Sequence, residues 1–237
     1  MLKDKKIFII NMIALALIVA MDLVYILCTN VTKPVSVTIK TITSALFVAT
    51  GVVNYIYARK SDFEAKKYSE FALCMLIGLV FAMLGDVVLE FQFEIGAGLF
   101  ALGHVMFLIS YTRLNKINWK DLLIICGIIA AALLIIFLYD GFNFSTFDLV
   151  VVVVYAVIIS CMLGKSAGNL FDKEQSNLAK WLIFVGSLCF FLSDLFLLFR
   201  IFAHLGRTFS ILCLAFYYPA EWMLAVSVFY SSRKEIK

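Results

Sequence analysis

The chain has 237 residues, of which 64% are hydrophobic and only 15% charged, with a formal net charge of +4 and a mean hydropathy of +1.02. Such values lie far outside soluble globular usage and exclude a water-soluble enzyme, and the small positive charge gives no basis for nucleic-acid binding. The six cysteines form no CxxC pair and read as small core residues, while two prolines leave no room for a proline-rich linker or tail.

A hydrocarbon core about 30 Å thick takes about 20 helical residues to cross, and apolar runs of that kind occupy residues 7–29, 35–57, 69–91, 97–114, 121–139, 148–164, 180–202 and 208–230. The expectation is an all-α membrane protein, a bundle of eight transmembrane helices forming a single polytopic domain over residues 1–237. The first run is long and lacks a small-residue cleavage site, so it reads as a retained span rather than a signal peptide. Basic residues gather at alternate loops: Lys3, Lys5 and Lys6; Arg59, Lys60, Lys66 and Lys67; Arg113, Lys116 and Lys120; Lys165, Lys173 and Lys180; Arg233, Lys234 and Lys237. Only Lys33, Arg200 and Arg207 fall on the other side, which places both termini in the cytoplasm and requires an even number of spans. Short loops and the lack of a targeting segment point to a multi-pass protein of the cell membrane, the bacterial cytoplasmic membrane being expected.

On that orientation the polar residues within the spans share one layer. Asp22 lies in the outer half of span 1. Lys33 stands at the outer mouth of span 2, followed at spacings of seven and four by Lys40 and Ser44. Asp86 and Glu90 are four apart on one face of span 3, and His104 lies in the outer half of span 4. Asp194 and Arg200 occupy the outer part of span 7. Tyr217 and Tyr218 sit near mid-depth in span 8, with Glu221 one turn deeper than Tyr217. Each charge at a helix centre in lipid costs at least a few kcal/mol, so the set predicts a wet cavity open toward the outside. Asp22 and Lys40 also read as a pair joining spans 1 and 2.

The chain has two histidines, one of them His204 in an outer loop, so a His-rich zinc site cannot be built; an Asp86, His104, Asp194 arrangement stays open, and no cofactor is expected. GDVVLE at 85–90 is echoed by SDLFLL at 193–198, four spans apart, as in a parallel internal repeat. Two function classes remain: an intramembrane hydrolase using the acid pair, and a small-solute or lipid transporter with a midplane polar site.

TKP at 32–34, MLGDVVL at 83–89, GLFALGH at 98–104, FLSDLFL at 191–197 and YYPAE at 217–221 together resemble the YhhN-like family of integral membrane proteins, whose characterised animal members are lysoplasmalogenases. The resemblance covers most of the chain. It implies hydrolysis of the vinyl ether bond of a lysophospholipid, releasing a fatty aldehyde and a glycerophospho head group. Carried over residue by residue are Lys33, Asp86, His104, Asp194 and Tyr217. Glu221 stands where the family usually has an amide, and Glu90 is no family signature. The chemistry begins with proton transfer to carbon and so requires an acid and a stabilising anion, roles that two buried carboxyls divide when one stays protonated beside an ionised neighbour. Asp86 and Asp194 are expected as that pair, with His104 relaying a proton, Tyr217 placing water or the glycerol oxygen, and Lys33 or Arg200 meeting the phosphate.

Overall fold

The computed structural model describes residues 2–27, 32–59, 66–172 and 175–231; Cys28, the end of the first apolar run, and Lys60, Lys173, Arg233, Lys234 and Lys237 lie outside them. Eight helices follow one another, α1 (Leu2–Leu27), α2 (Lys33–Arg59), α3 (Lys66–Leu89), α4 (Phe93–Leu114), α5 (Trp119–Leu138), α6 (Thr146–Asn169), α7 (Asn177–Phe202) and α8 (Arg207–Ser231), with no strand among the described residues. Each is long and apolar enough to cross a membrane, so the chain is a multi-pass membrane protein. Helix is what such sequence must form there, because hydrocarbon offers no partner to a free backbone N–H or C=O. Outside the lipid, side chains take over: Asn118 and Asp121 at the start of α5, and Ser145 and Asp148 at the start of α6, form reciprocal capping boxes.

Helices consecutive in the chain run antiparallel. Asn11 and Asn54 exchange side-chain hydrogen bonds between α1 and α2 (3.1 and 2.8 Å). The Arg207 guanidinium donates to the Ile26 carbonyl (2.6 Å) and the Trp222 indole to the Asn11 carbonyl (2.9 Å), so α8 lies antiparallel to α1, with the end of α1 and the start of α8 at the same face of the bundle. Six helices close a ring in the order α2, α3, α4, α6, α7, α8. Outside the ring, α1 covers α2 and α8, and α5 rests on α6 alone. The most buried helix is α8, in which Pro219 cannot donate to the Ala215 carbonyl.

Small residues set the tightest seams, as expected where lipid gives helices no hydrophobic reason to associate. Between α3 and α4, a Cβ at Gly78 would strike the Phe107 ring, one at Gly85 the Phe100 ring, and one at Gly96 the Leu89 backbone. Between α7 and α8, Gly186 lies against Leu224 and the Ala220 carbonyl, and Ser193 Oγ against Cys213 Sγ at 3.4 Å. Gly78 and Gly85 are seven residues apart, as are Gly186 and Ser193, and each pair is followed at once by an aspartate, Asp86 or Asp194. Mapping α1–α4 onto α5–α8 carries the packed pairs α1/α2, α2/α3, α3/α4 and α2/α8 onto α5/α6, α6/α7, α7/α8 and α4/α6. The short sequence echo thus marks a repeated packing scheme.

Two sequence expectations require correction. Cys126 is exposed, and Cys74, Cys161 and Cys189 are only half-buried, leaving Cys213 as the buried one among the described residues; Cys126 faces outward because α5 has a single neighbour. Lys165, expected in a loop, lies inside α6, which continues to Asn169. It is fully buried, with Nζ 2.7 Å from Asp121 Oδ2.

Candidate functional site

The two aspartates are held by equivalent helices in equivalent ways. Asp86, near the end of α3, accepts at Oδ2 from Ser44 Oγ on α2 (2.6 Å) and from the Tyr218 hydroxyl on α8 (3.0 Å). Asp194, on α7, accepts at Oδ2 from the Tyr155 hydroxyl on α6 (2.6 Å), with His104 Nε2 on α4 3.3 Å away. Each carboxyl therefore takes one partner from the preceding helix of its own half and one from the last helix of the other half. Tyr155 spends its single proton on Asp194, so its 2.8 Å contact with His104 Nε2 puts the imidazole hydrogen on that nitrogen; Nδ1 is buried without a hydrogen-bond partner.

A single cation breaks the equivalence. Lys40 Nζ lies 2.6 Å from Glu90 Oε1 and 3.8 Å from Asp86 Oδ1, with the Tyr25 ring 5.6 Å away. The ion pair expected between Asp22 and Lys40 is absent among the described residues: Lys40 turns toward α3, where two carboxylates meet it, and the Tyr25 ring occupies its α1 side. Asp22 is buried, and its Oδ1 has no hydrogen-bond partner.

These groups border a polar cavity of about 400 Å³ lined by Tyr25, Lys40, Asp86, Glu90, Ser193, Asp194, Arg200, Ser210, Cys213 and Tyr217, with apolar residues between them. One end of it is aromatic. Phe100, Phe190 and Tyr217 meet edge to face at 5.4–6.1 Å, and Phe47 abuts Tyr217. Of the residues expected from sequence, Lys40, Asp86, Glu90, Asp194, Arg200 and Tyr217 reach the cavity. Lys33 instead lies exposed with Nζ 4.9 Å over the Phe91 ring. His104 stands behind Asp194, and Tyr217 directs its hydroxyl to the Ala82 carbonyl (3.4 Å). Glu221 lies outside the cavity lining, fully buried, with neither carboxyl oxygen hydrogen-bonded. Among the described residues no three His, Cys, Asp or Glu side chains converge as a metal ion would require; Asp86 turns to α2 and α8 and Asp194 to α4 and α6, so the Asp86, His104, Asp194 trio does not assemble.

Sequence reasoning missed Tyr155, a hydroxyl following five consecutive valines, a setting that itself marks it as a buried group in need of a partner.

A second, apolar pocket adjoins the cavity, between α4, α5, α6 and α7. The two share Leu89, Phe93, Phe100, Asp194, Leu197 and Ile201. Asp194 is the one ionisable residue common to both.

Over residues 35–228 the sequence matches the model of the YhhN family. The chain belongs to that family. No curated protein and no solved structure matches it. The matched stretch of this YhhN chain runs from α2 into α8 and contains both aspartates with all four of their partners, while Asp22, Tyr25 and Lys33 precede it.

Proposed function

We propose that this YhhN protein is an intramembrane hydrolase that cleaves the vinyl ether bond of lysoplasmalogen-type lysophospholipids, giving a fatty aldehyde and a glycerophospho head group. One observation carries the proposal: Asp194 stands where the polar cavity meets the apolar pocket. The vinyl ether is the bond that joins the polar half of such a lipid to its hydrocarbon half, so a lipid laid across the two spaces brings that bond to Asp194.

Asp194 is the acid. Its Oδ2 is engaged by Tyr155 and His104, which leaves Oδ1 to give a proton to the alkenyl carbon one bond removed from the ether carbon. The resulting oxocarbenium ion faces Asp86, held as the carboxylate by Lys40, Ser44 and Tyr218, and preorganised charge of this kind lowers the barrier. Water adds to the cationic carbon and gives its extra proton back to Asp194. The hemiacetal then collapses to aldehyde, and its proton passes to the departing glycerol oxygen. Arg200, at the cavity wall, offers a planar fork to the phosphate, and Lys40 with Glu90 fixes the wall opposite. A transporter would need a path continuing through the inner half, where the Phe100, Phe190 and Tyr217 rings close the cavity.

Purified protein in detergent is expected to release fatty aldehyde from a 1-alkenyl lysophosphocholine, with a normal solvent deuterium isotope effect, because a proton is in flight in the transition state. Uptake of the lipid into proteoliposomes without cleavage would replace the hydrolase with a transporter.

The same proposal has both termini in the cytoplasm of a cell membrane and the cavity opening outward. A cysteine introduced near Gly141 should then react with an impermeant maleimide in intact cells, and one near Asp172 only after lysis. The reverse pattern would place the cavity at the inner leaflet.

A further inference from the structure

The packing scheme that relates the two halves of the chain fails at one place. In the first half, α1 packs on both α2 and α8. Its counterpart α5 packs on α6 but, among the described residues, not on α4, the counterpart of α8. Only residues 115–118 join α4 to α5, a link short enough to make antiparallel neighbours, and every other pair of consecutive helices does pack. The contact of α3 with α8 likewise has no counterpart between α7 and α4. Both omissions border the apolar pocket, whose lining includes Phe93 and Ala97 from α4, Ala132 and Ile136 from α5, and Asp194 from α7.

The other walls of that pocket are closed by packed elements. α4 packs on α6, and α6 on α7. At the end near the turn between α5 and α6, Phe202 meets Phe93 (5.5 Å) and Phe144 (4.8 Å), and the Asn143 N–H donates to the Phe202 carbonyl (2.8 Å). Between α4 and α5 the closure is by side chains alone, without helix packing. What stands at that seam follows from helix geometry, in which successive residues are turned by about 100°. Gly96 faces α3, where a Cβ would strike the Leu89 backbone, and Ala97 faces the pocket. Gly98 is turned one step further, past the pocket on the side away from α3. It is exposed, and among the described residues nothing lies within 4 Å of the place its Cβ would take.

We infer that the seam between α4 and α5 is a lateral doorway through which apolar and amphiphilic molecules dissolved in the bilayer reach Asp194, and that Gly98 keeps it open. An apolar group entering here passes from one hydrocarbon surrounding to another and meets no transfer cost. Entry through the polar cavity would instead take it past Lys40, Glu90 and Arg200. The doorway is a property of where the helices part and does not depend on the reaction assigned to Asp194.

The test uses the full chain in phosphatidylcholine nanodiscs and a small apolar aryl diazirine dissolved in the bilayer. Irradiation is expected to label the pocket-lining Tyr155 and Leu198 as well as lipid-facing residues such as Leu134. Gly98→Phe places a ring at the seam without altering the pocket lining, and should abolish the label on Tyr155 and Leu198 while leaving that on Leu134. Gly98→Leu serves should the phenylalanine variant fold poorly, and Gly98→Ala should label as the wild type does. Pocket labelling that persists in Gly98→Phe would reveal another way in and overturn the doorway, as would a wild-type pocket that takes no label. Hydrolysis gives a second arm: in Gly98→Phe, kcat/KM should fall for a long-chain alkenyl lysophosphocholine presented in the bilayer and hold for a short-chain one added from water, whereas an equal change in both would overturn the doorway. Labelling through the seam in a protein that cleaves no vinyl ether would uphold the doorway and refute the hydrolase.

Discussion

Asp194→Asn should lower vinyl ether hydrolysis by at least about a hundredfold, the usual scale for loss of a general acid, in a protein that unfolds at nearly the wild-type temperature. The amide has almost the same volume, and its oxygen still accepts from the Tyr155 hydroxyl now at 2.6 Å. What it lacks is a proton that can be transferred to carbon. Asp86→Asn should produce a comparable loss by a different route, since on the proposed mechanism it removes the charge that faces the oxocarbenium ion, and it leaves Lys40 with Glu90 as its only close counter-ion. Rates of aldehyde release, read with thermal unfolding in the same detergent, check both. Near-full activity in the two variants would remove the mechanism and leave the family membership intact.

How far sequence reaches is visible in these same residues. Eight spans are legible because lipid imposes one length and one composition on every crossing, and the eight helices match the eight apolar runs. Helix ends are less so: α6 carries its polar residues Lys165, Ser166 and Asn169 inside the bundle, where hydropathy alone marks the end of a span. Asp86 and Asp194 stand out from sequence because carboxyls in lipid are expensive. Among their partners His104 stands out for the same reason, but Tyr155 and Tyr218 do not declare themselves as partners, because they come from helices whose rotation is set by packing, and a tyrosine in a span reads equally well as a lipid-facing or a core residue. Depth, too, is easier to read than direction. Lys33 and Lys40 both lie toward the N-terminal end of α2, yet Lys33 rests on Phe91 at the surface while Lys40 enters the cavity, a difference that depends on where α1 and α3 lie around α2. Asp22 shows the same limit, since nearness in depth to Lys40 did not make a pair once Glu90 and Asp86 were there to compete.

Far from the cavity, a second buried charge pair separates stability from catalysis. Lys165 is 0% and Asp121 1% exposed. The ammonium also donates to the Lys116 carbonyl (3.2 Å), and Asp121 accepts from the Asn118 N–H (3.0 Å) in the capping box of α5. The pair thus ties the turn before α5 to α6, and Gly168 makes room for it, because a Cβ there would collide with the Asp121 carboxyl. Lys165→Met keeps most of the side-chain volume but leaves a carboxylate buried without its cation, for which the expected cost is about 3–5 kcal/mol. Adding Asp121→Asn should recover most of that loss, since the amide is neutral and its oxygen can still accept from Asn118. Lys165 lies ten residues beyond Tyr155 on α6, about 15 Å of helical rise, so the folded fraction of Lys165→Met should hydrolyse vinyl ether at the wild-type rate. Thermal unfolding followed by circular dichroism in detergent, alongside activity per folded molecule, measures both quantities. A stable Lys165→Met protein would show that the pair adds nothing to the fold, and a double variant no more stable than the single one would show that the buried carboxylate is not the source of the cost.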